Sequence, residues 1–139
     1  MLYSKLTHPM ILQALAAAGH GSKVLIADGN YPLSTKTFSG AELVYLNLRP
    51  GQVTVTDVLE TLLTAIPVEA AHVMQPHDGS TPAIYTEFGR LLPAMTLERV
   101  ERFSFYDLAC EPDVALAIET GEQRLYANIL LTIGVVQPS

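Results

Sequence analysis

The chain has 139 residues, 49% of them hydrophobic, and a formal net charge of −6 at pH 7. A chain of this length buries one core and is short for two, so we expect a single domain over residues 1–139. Its eight lysine and arginine residues are scattered along an acidic sequence. That distribution argues against nucleic acid or an anionic membrane as a partner.

Cysteine content and the first residues predict the compartment. Cys110 is the only cysteine, so no disulfide forms within the chain, and because nothing basic adjoins it we expect a small buried residue. The first ten residues lack the charged region and apolar run of a secretory leader, and no apolar stretch is long enough to span a bilayer. The sequence therefore predicts a soluble cytoplasmic protein.

Helical and extended patterns alternate in the first part of the chain. HPMILQALAAAG, residues 8–19, is rich in helix formers, with proline near its start and glycine at its end. KVLIAD, residues 23–28, is a short apolar run between turn signals and predicts a buried strand. AELVYLNL, residues 41–48, predicts a second strand that ends at the turn signal RPG.

The same alternation continues through the middle of the chain. DVLETLLTAI, residues 57–66, carries an apolar helical face, and Thr54 or Thr56 would cap the helix. VEAAHVM, residues 68–74, predicts a third strand. AIYTEFGRLLPAM, residues 83–95, predicts a further helix.

The last third of the chain is the most strand-like part. LERVERFSF, residues 97–105, alternates as a strand does, and YDLACEP, residues 106–112, predicts one or two helical turns. VALAIETGE, residues 114–122, and LYANILLTIGVV, residues 125–136, predict two adjacent strands because a turn with glycine separates them. The whole pattern predicts an α/β fold: one three-layer domain with a mostly parallel central sheet and helices on both faces.

Two polar residues bracket the first predicted strand. His20 lies between two glycines before it, and Asp28 lies at its carboxyl end, where ligands gather in open α/β sheets. The strand spans roughly 20 Å, so both residues face one site only if the segment after Asp28 folds back or a second subunit contributes. Each residue also has a purely structural explanation: His20 can complement the dipole of the preceding helix, and Asp28 before glycine commonly starts a turn.

The two ends of the chain together resemble one family. GHGSKVLIADGNYP near the amino end and TGEQRLYANILLTIGV near the carboxyl end are similar to the RbsD/FucU family of sugar mutarotases, which includes D-ribose pyranases and L-fucose mutarotases. The resemblance covers nearly the full chain. RFSFYD, residues 102–107, and Gly21 are similar to the fucose branch in particular.

This resemblance implies roles for the residues that match the family's motifs. His20 matches a histidine that acts as proton donor. Contacts with the sugar are implied for five residues: Asp28, Arg102, Tyr126, Ala127 and Asn128. The resemblance also implies a homo-oligomer, commonly a decamer, whose sites are completed by a neighbouring subunit.

The chemistry of such a reaction agrees with these residues. Anomers interconvert when the anomeric hydroxyl loses a proton and the ring oxygen gains one, which opens the ring before it closes again. A histidine exchanges protons near neutral pH, and positioned acid and base groups contribute about 10²- to 10⁴-fold. No metal and no organic cofactor is required.

Some residues depart from the fucose branch and keep the substrate open. Asn30 stands where that branch usually has histidine, and the alanine of Tyr-Ala-Asn is typical of the ribose branch. Tyr106 takes the place of the histidine that the ribose branch uses downstream. L-fucose or a similar pyranose is therefore favoured, with D-ribose as the alternative. A non-catalytic sugar-binding or transport-associated protein is the competing class.

For a possible metal site and for Tyr106, a structural explanation is preferred to a functional one. His72, His77 and Asp78 lack a recognised spacing for metal ligands. Tyr106 is close to Arg102 in sequence and a candidate for the same pocket, but an aromatic residue in FSFY is more often part of a core.

Overall fold

Four helices and six strands follow one another in the computed structural model, which describes residues 1–139. In chain order they are α1 (Pro9–Ala17), β1 (Lys23–Ala27), β2 (Glu42–Tyr45), α2 (Val55–Leu62), β3 (Val68–Gln75), α3 (Ile84–Leu91), β4 (Leu97–Glu101), α4 (Arg102–Ala109), β5 (Val114–Glu119) and β6 (Ile129–Ile133).

All six strands form one sheet, in the order β2, β5, β1, β6, β3, β4. Neighbouring strands are parallel except at β6, which runs antiparallel to both β1 and β3. The prediction of a mostly parallel sheet is confirmed.

Helices cover both faces of the sheet, as predicted. The apolar residues of α1, α2 and α3, such as Ile11, Leu59 and Phe88, pack with one set of strand side chains. The alternate strand side chains point to the opposite face, where Phe105 and Ala109 of α4 cover them. None of the helices is long and apolar enough to cross a membrane.

Local hydrogen bonds fix where the first helices start. Pro9 stands in the first turn of α1, and the imidazole of His8 accepts a bond from the backbone N–H of Ile11. Thr54, one of the two predicted caps, begins α2. Its hydroxyl accepts from the N–H of Asp57 at 3.1 Å, and the Asp57 carboxylate accepts from the N–H of Thr54 at 3.1 Å. This reciprocal pair satisfies two free N–H groups of the helix end.

The strand predicted over residues 97–105 is wrong in its second half. β4 ends at Glu101 and α4 begins at Arg102. The carboxylate of Glu101 accepts hydrogen bonds from the N–H groups of Phe103 and Ser104, both at 3.1 Å. That side chain caps a helix, so the chain turns from strand to helix without a loop.

The prediction that the last two strands are adjacent is also wrong. β1 lies between β5 and β6 and pairs with both. The segment that joins them is anchored elsewhere, because Gly121 donates to the carbonyl of Val53 at 2.9 Å and accepts from Gly51 at 2.6 Å. A segment bound to a distant loop cannot act as a tight hairpin turn.

The prediction that Cys110 is buried is wrong. Cys110 is exposed at the end of α4, where its N–H donates to the carbonyls of Tyr106 and Asp107 at 3.1 and 3.2 Å. The helix turns its buried side to the sheet through Ala109, which leaves the next residue facing outward.

Candidate functional site

A cavity of about 230 Å³ opens at the end of the sheet where β1 and β3 finish. Four residues that the family resemblance implies as sugar contacts line it: Asp28, Arg102, Tyr126 and Asn128. They come from the end of β1, the start of α4 and the segment before β6. The structure therefore brings together residues that are far apart in the sequence.

The reversed direction of β6 places Asn128 beside Asp28. β6 starts where β1 ends, with Ile129 paired to Ile26. Asn128 accepts a bond from the backbone N–H of Asp28 at 2.7 Å and donates from Nδ2 to the Asp28 carboxylate at 3.3 Å. One side chain thus holds both the backbone and the carboxylate of Asp28.

The carboxylate of Asp28 is a fixed hydrogen-bond acceptor. It also accepts from the N–H of Asn30 at 3.0 Å, which is the turn that Asp-Gly predicts. Burial raises the pKa of the Asp28 carboxyl, and the surrounding donors, among them Asn30, Ala127 and Asn128, act in the opposite direction. Such a group, oriented by several donors, suits the recognition of a hydroxyl.

Arg102 and Tyr106 form one wall of the cavity. The Nε of Arg102 donates to the hydroxyl of Tyr106 at 3.1 Å, and this bond raises the pKa of the Arg102 guanidinium. The ring of Tyr106 packs edge-on against Tyr31, with centroids 5.3 Å apart. Tyr106 is half-buried: it lines the cavity and also packs against the hydrophobic core on that face of the sheet, so both sequence-based assignments describe it.

Tyr126 and Ala127 differ in what they offer to a ligand. Tyr126 has a φ of 58°, which is a left-handed backbone conformation. This conformation is unfavourable for residues other than glycine, and it is concentrated at functional sites. Its side chain lines the cavity. The side chain of Ala127 is fully buried in the core, and only its backbone acts on Asp28.

His20 lies away from this cavity, at the opposite end of β1. Its Nε2 is 3.0 Å from the carboxylate of Glu69, and the side chain is 58% exposed. Gly21, with a φ of +88°, turns the chain there and donates to the carbonyl of Ile133 at 2.9 Å. Within one chain, therefore, His20 and Asp28 do not meet, and the segment after Asp28 does not fold back.

Four residues at these places were not predicted: Tyr31, Met74 and Leu125 at the cavity, and Glu69 beside His20. Tyr31 and Met74 line the cavity, and the sulfur of Met74 is 3.8 Å from Nδ2 of Asn128. Met74 is the last residue of a predicted strand and Tyr31 follows the end of another by three residues, positions that would have identified them. Glu69 has no such signal, because it is 49 residues from His20 in the chain.

The other histidines have structural surroundings. His72 forms an ion pair with Glu98 at 2.6 Å. His77 and Asp78 lie in the exposed loop after β3. No three histidine, cysteine or acidic side chains of the chain come together in a way that would hold a metal ion.

Fold and cavity together describe a mixed α/β protein with a cavity at the ends of its strands, the place where ligands bind in such folds. The model of the RbsD / FucU transport protein family matches residues 1–136. The chain belongs to this family.

Curated relatives in the family carry two enzyme names. Human fucose mutarotase is 32% identical over 145 residues, which cover 94% of this chain and 90% of the human protein. D-ribose pyranase of Symbiobacterium thermophilum is 32% identical over 135 residues, covering 97% of this chain and 98% of that one. Both relatives are isomerases that act on sugar anomers.

Solved structures of the family share this fold. RbsD of Bacillus subtilis, complexed with D-ribose, is 26% identical with a TM-score of 0.85, covering 99% of this chain and 100% of that one. The fucose mutarotase of Streptococcus pneumoniae, in complex with L-fucose, has a TM-score of 0.83 at 24% identity, with the same coverage. These structures confirm the α/β fold that the sequence pattern predicts.

Proposed function

We propose that this protein is a sugar mutarotase that interconverts the anomers of L-fucose or a similar pyranose. The observation that carries the proposal is the cavity in which Asn128 fixes the carboxylate of Asp28, with Arg102 and Tyr126 beside it. Relatives named fucose mutarotase support the activity. The small volume of the cavity, about 230 Å³, supports a single sugar ring as substrate.

Each residue of the cavity has a part in holding the sugar. The Asp28 carboxylate accepts a bond from a sugar hydroxyl, and the Arg102 guanidinium donates to another oxygen. Asn128 acts mainly by orienting Asp28. Its amide oxygen already accepts from the backbone N–H of Asp28, and its amide nitrogen donates to the Asp28 carboxylate. Tyr126 supplies a hydroxyl and an apolar ring face.

Proton transfer opens and closes the ring. A base takes the proton of the anomeric hydroxyl, an acid gives one to the ring oxygen, and the bond between the anomeric carbon and the ring oxygen breaks. Rotation of the aldehyde and the reverse transfers give the other anomer, so protons balance over the cycle. His20 is the proposed proton donor, because histidine exchanges protons near neutral pH.

A neighbouring subunit would bring His20 to the cavity. β1 separates His20 from Asp28 by roughly 20 Å, so a second copy of the chain must supply the histidine. Leu125 at the cavity and Phe103, next to Arg102, are 66% and 64% exposed, and a covering subunit would remove this apolar surface from water. We propose a homo-oligomer, with a decamer as its stoichiometry. The cytoplasmic location stays a prediction.

Exchange NMR on equilibrated sugars tests the activity and the substrate together. With L-fucose, D-ribose and related sugars, we expect the protein to speed exchange between the α and β resonances of at least one of them. Saturation transfer to a bound sugar without faster exchange would favour a non-catalytic sugar-binding protein. If D-ribose exchanges and L-fucose does not, the pyranase alternative replaces the fucose assignment.

The variant His20→Ala tests the proposed proton donor. Loss of acid catalysis predicts a fall in exchange rate of about 10²-fold or more, with the oligomer unchanged by light scattering. His8→Asn changes the histidine that caps α1, which lies outside the cavity, keeps a capping side chain, and serves as the matched control. Full activity in His20→Ala would remove the role assigned to it.

A further inference from the structure

Glu119 is a buried acid near the cavity that the proposed mechanism does not use. It is the last residue of β5, and its neighbours in the sheet register are Ala27 of β1 and Tyr45 of β2. The residue is only 7% exposed. Asp28 follows Ala27 directly, so the two carboxyl groups belong to the same end of the sheet.

The carboxyl of Glu119 has no partner in the protein. Its Oε1 is buried without a hydrogen bond, and none of the six ion pairs includes Glu119. Glu122, three residues later and 4% exposed, has an Arg124 nitrogen 2.6 Å away. A buried carboxylate without a donor or a cation is costly, whereas the neutral acid is tolerated.

Asp28 and Glu119 therefore differ in which of them carries a charge. Burial, and then the charge of Asp28, raise the pKa of Glu119 to about 7. Asp28 has N–H donors that support its charge, and Glu119 has none. In a pair whose surroundings differ in this way, the supported group ionises first and the other keeps its proton.

Three titratable groups of the neighbouring elements face Glu119. They are Asp28 beyond the end of β1, Tyr31 of the segment after it, and the exposed Tyr45 of β2. The charges of Glu119 and Asp28 both contribute, after burial, to the raised pKa of the Tyr31 phenol. No cation among these groups would offset a charge on Glu119.

We propose that Glu119 is a positioning residue of the sugar site, because its buried carboxyl, while neutral, leaves the neighbouring Asp28 carboxylate undisturbed in the arrangement that it presents to the sugar. This inference rests on the proposed function. When Glu119 ionises, its carboxylate must draw in water. Its charge also repels the Asp28 carboxylate, which the N–H of Asn30 orients. Sugar binding then weakens while the proton-transfer groups are unchanged.

The test compares wild type with Glu119→Gln, which keeps the shape of the neutral acid and cannot ionise. For the wild type, the apparent KM should rise about fivefold between about pH 7 and about pH 8, as a titration near 7 requires, while kcat does not follow it. Glu119→Gln should keep a constant KM over this range. Glu119→Ala, which leaves a cavity and no hydrogen-bonding shape, should raise KM at every pH.

Thermal unfolding supplies a readout that does not depend on any sugar. A raised pKa means that the folded state holds a proton that the unfolded chain has already lost, so wild-type stability falls as pH rises from about 4.5 to about 7. The Tm of wild type should fall relative to that of Glu119→Gln from about pH 5 to about pH 8. Glu122→Gln is the matched control. Burial acts to raise the pKa of Glu122, but bonds from Arg124 more than offset it and the pKa is lowered, so this variant should instead lose stability near neutral pH.

The outcomes separate this inference from the proposed function. If sugars bind and exchange but wild type and Glu119→Gln share one KM profile, the inference fails and the mutarotase proposal stands. A Tm difference that is constant with pH would overturn it as well. If no sugar binds at either pH, the proposed function fails, and the role of Glu119 at a sugar site fails with it, whatever the Tm curves show.

Discussion

Asn128 is the residue on which the geometry of the cavity depends most. It bonds the backbone and the carboxylate of Asp28 and is almost fully buried. Asn128→Ala leaves the Asp28 N–H without a partner, which costs about 1–3 kcal/mol of stability. We expect a lower unfolding free energy in urea together with a higher KM for the sugar.

A matched control separates this effect from the loss of any asparagine. Asn47 is exposed and lies outside the cavity that holds Asp28, so Asn47→Ala should change neither the unfolding free energy nor KM by more than a small amount. If Asn128→Ala behaved like Asn47→Ala, Asn128 would not be what holds Asp28.

Glu69 has its effect through His20. The pair is exposed, with oxygens 3.0 and 3.1 Å from Nε2, and exposed ion pairs contribute about 0–1 kcal/mol to stability. Glu69→Gln should therefore leave the unfolding free energy nearly unchanged. Because the carboxylate orients the proposed proton donor, we expect kcat to fall by about tenfold while KM stays constant.

The second carboxylate and histidine pair of the protein provides the comparison. Glu98 is 2.6 Å from Nε2 of His72, on strands β3 and β4 and outside the cavity. Glu98→Gln should not change kcat. Equal kcat values in Glu69→Gln and wild type would show that the His20 pair is only a surface contact.

At the scale of elements, the start of α4 decides where Arg102 stands. Glu101 caps the helix through the N–H groups of Phe103 and Ser104. Glu101→Ala removes the cap and should lower the unfolding free energy measured in urea, as the loss of a capping side chain does. Since Arg102 is the first residue of this helix, KM for the sugar should rise as well.

The pH dependence of this cap has a definite sign. Bonds from Phe103 and then from Ser104 lower the pKa of the Glu101 carboxyl below its ordinary value of 4.5. A lowered pKa gives stability that is present above the unfolded value and lost as pH falls through the folded value. The difference in unfolding free energy between wild type and Glu101→Ala should thus shrink on acidification below about pH 4.5. Glu60→Ala, an exposed position of α2, should show no such change; a gap that persists in acid would contradict the capping role.

At the scale of the whole molecule, sequence periodicity predicted most of the fold. Apolar periods located the helices and strands because each buries one face or both against a single sheet. The alternating pattern wrongly predicted a strand at RFSF, because the Glu101 carboxylate caps a helix there and a short alternation does not prevent the helix from forming. It also failed for the order of β5 and β6, because strand order depends on contacts that lie far apart in the chain.

The residues of the candidate site also differ in how far the sequence predicts them. Asp28 was predicted from its place at a strand end, and Arg102, Tyr126 and Asn128 only from family resemblance. The meeting of Asp28 with Asn128 follows from the reversal of β6, which no local pattern encodes. The partner of His20 is 49 residues away, on another strand, and a single sequence gives no measure of such contacts.

Assembly is the feature on which the proposed activity depends, and mixing two inactive variants tests it directly. His20→Ala lacks the proposed proton donor, and Arg102→Ala lacks a proposed sugar contact of the cavity. If the two groups of each site come from different subunits, random reassembly of subunits from equal amounts of the two variants restores about one complete site in four. Exchange NMR on the mixture should recover activity that neither variant has alone. If His20 and Arg102 of the same chain formed the site, every site in the mixture would lack one group, and no activity would return at any mixing ratio.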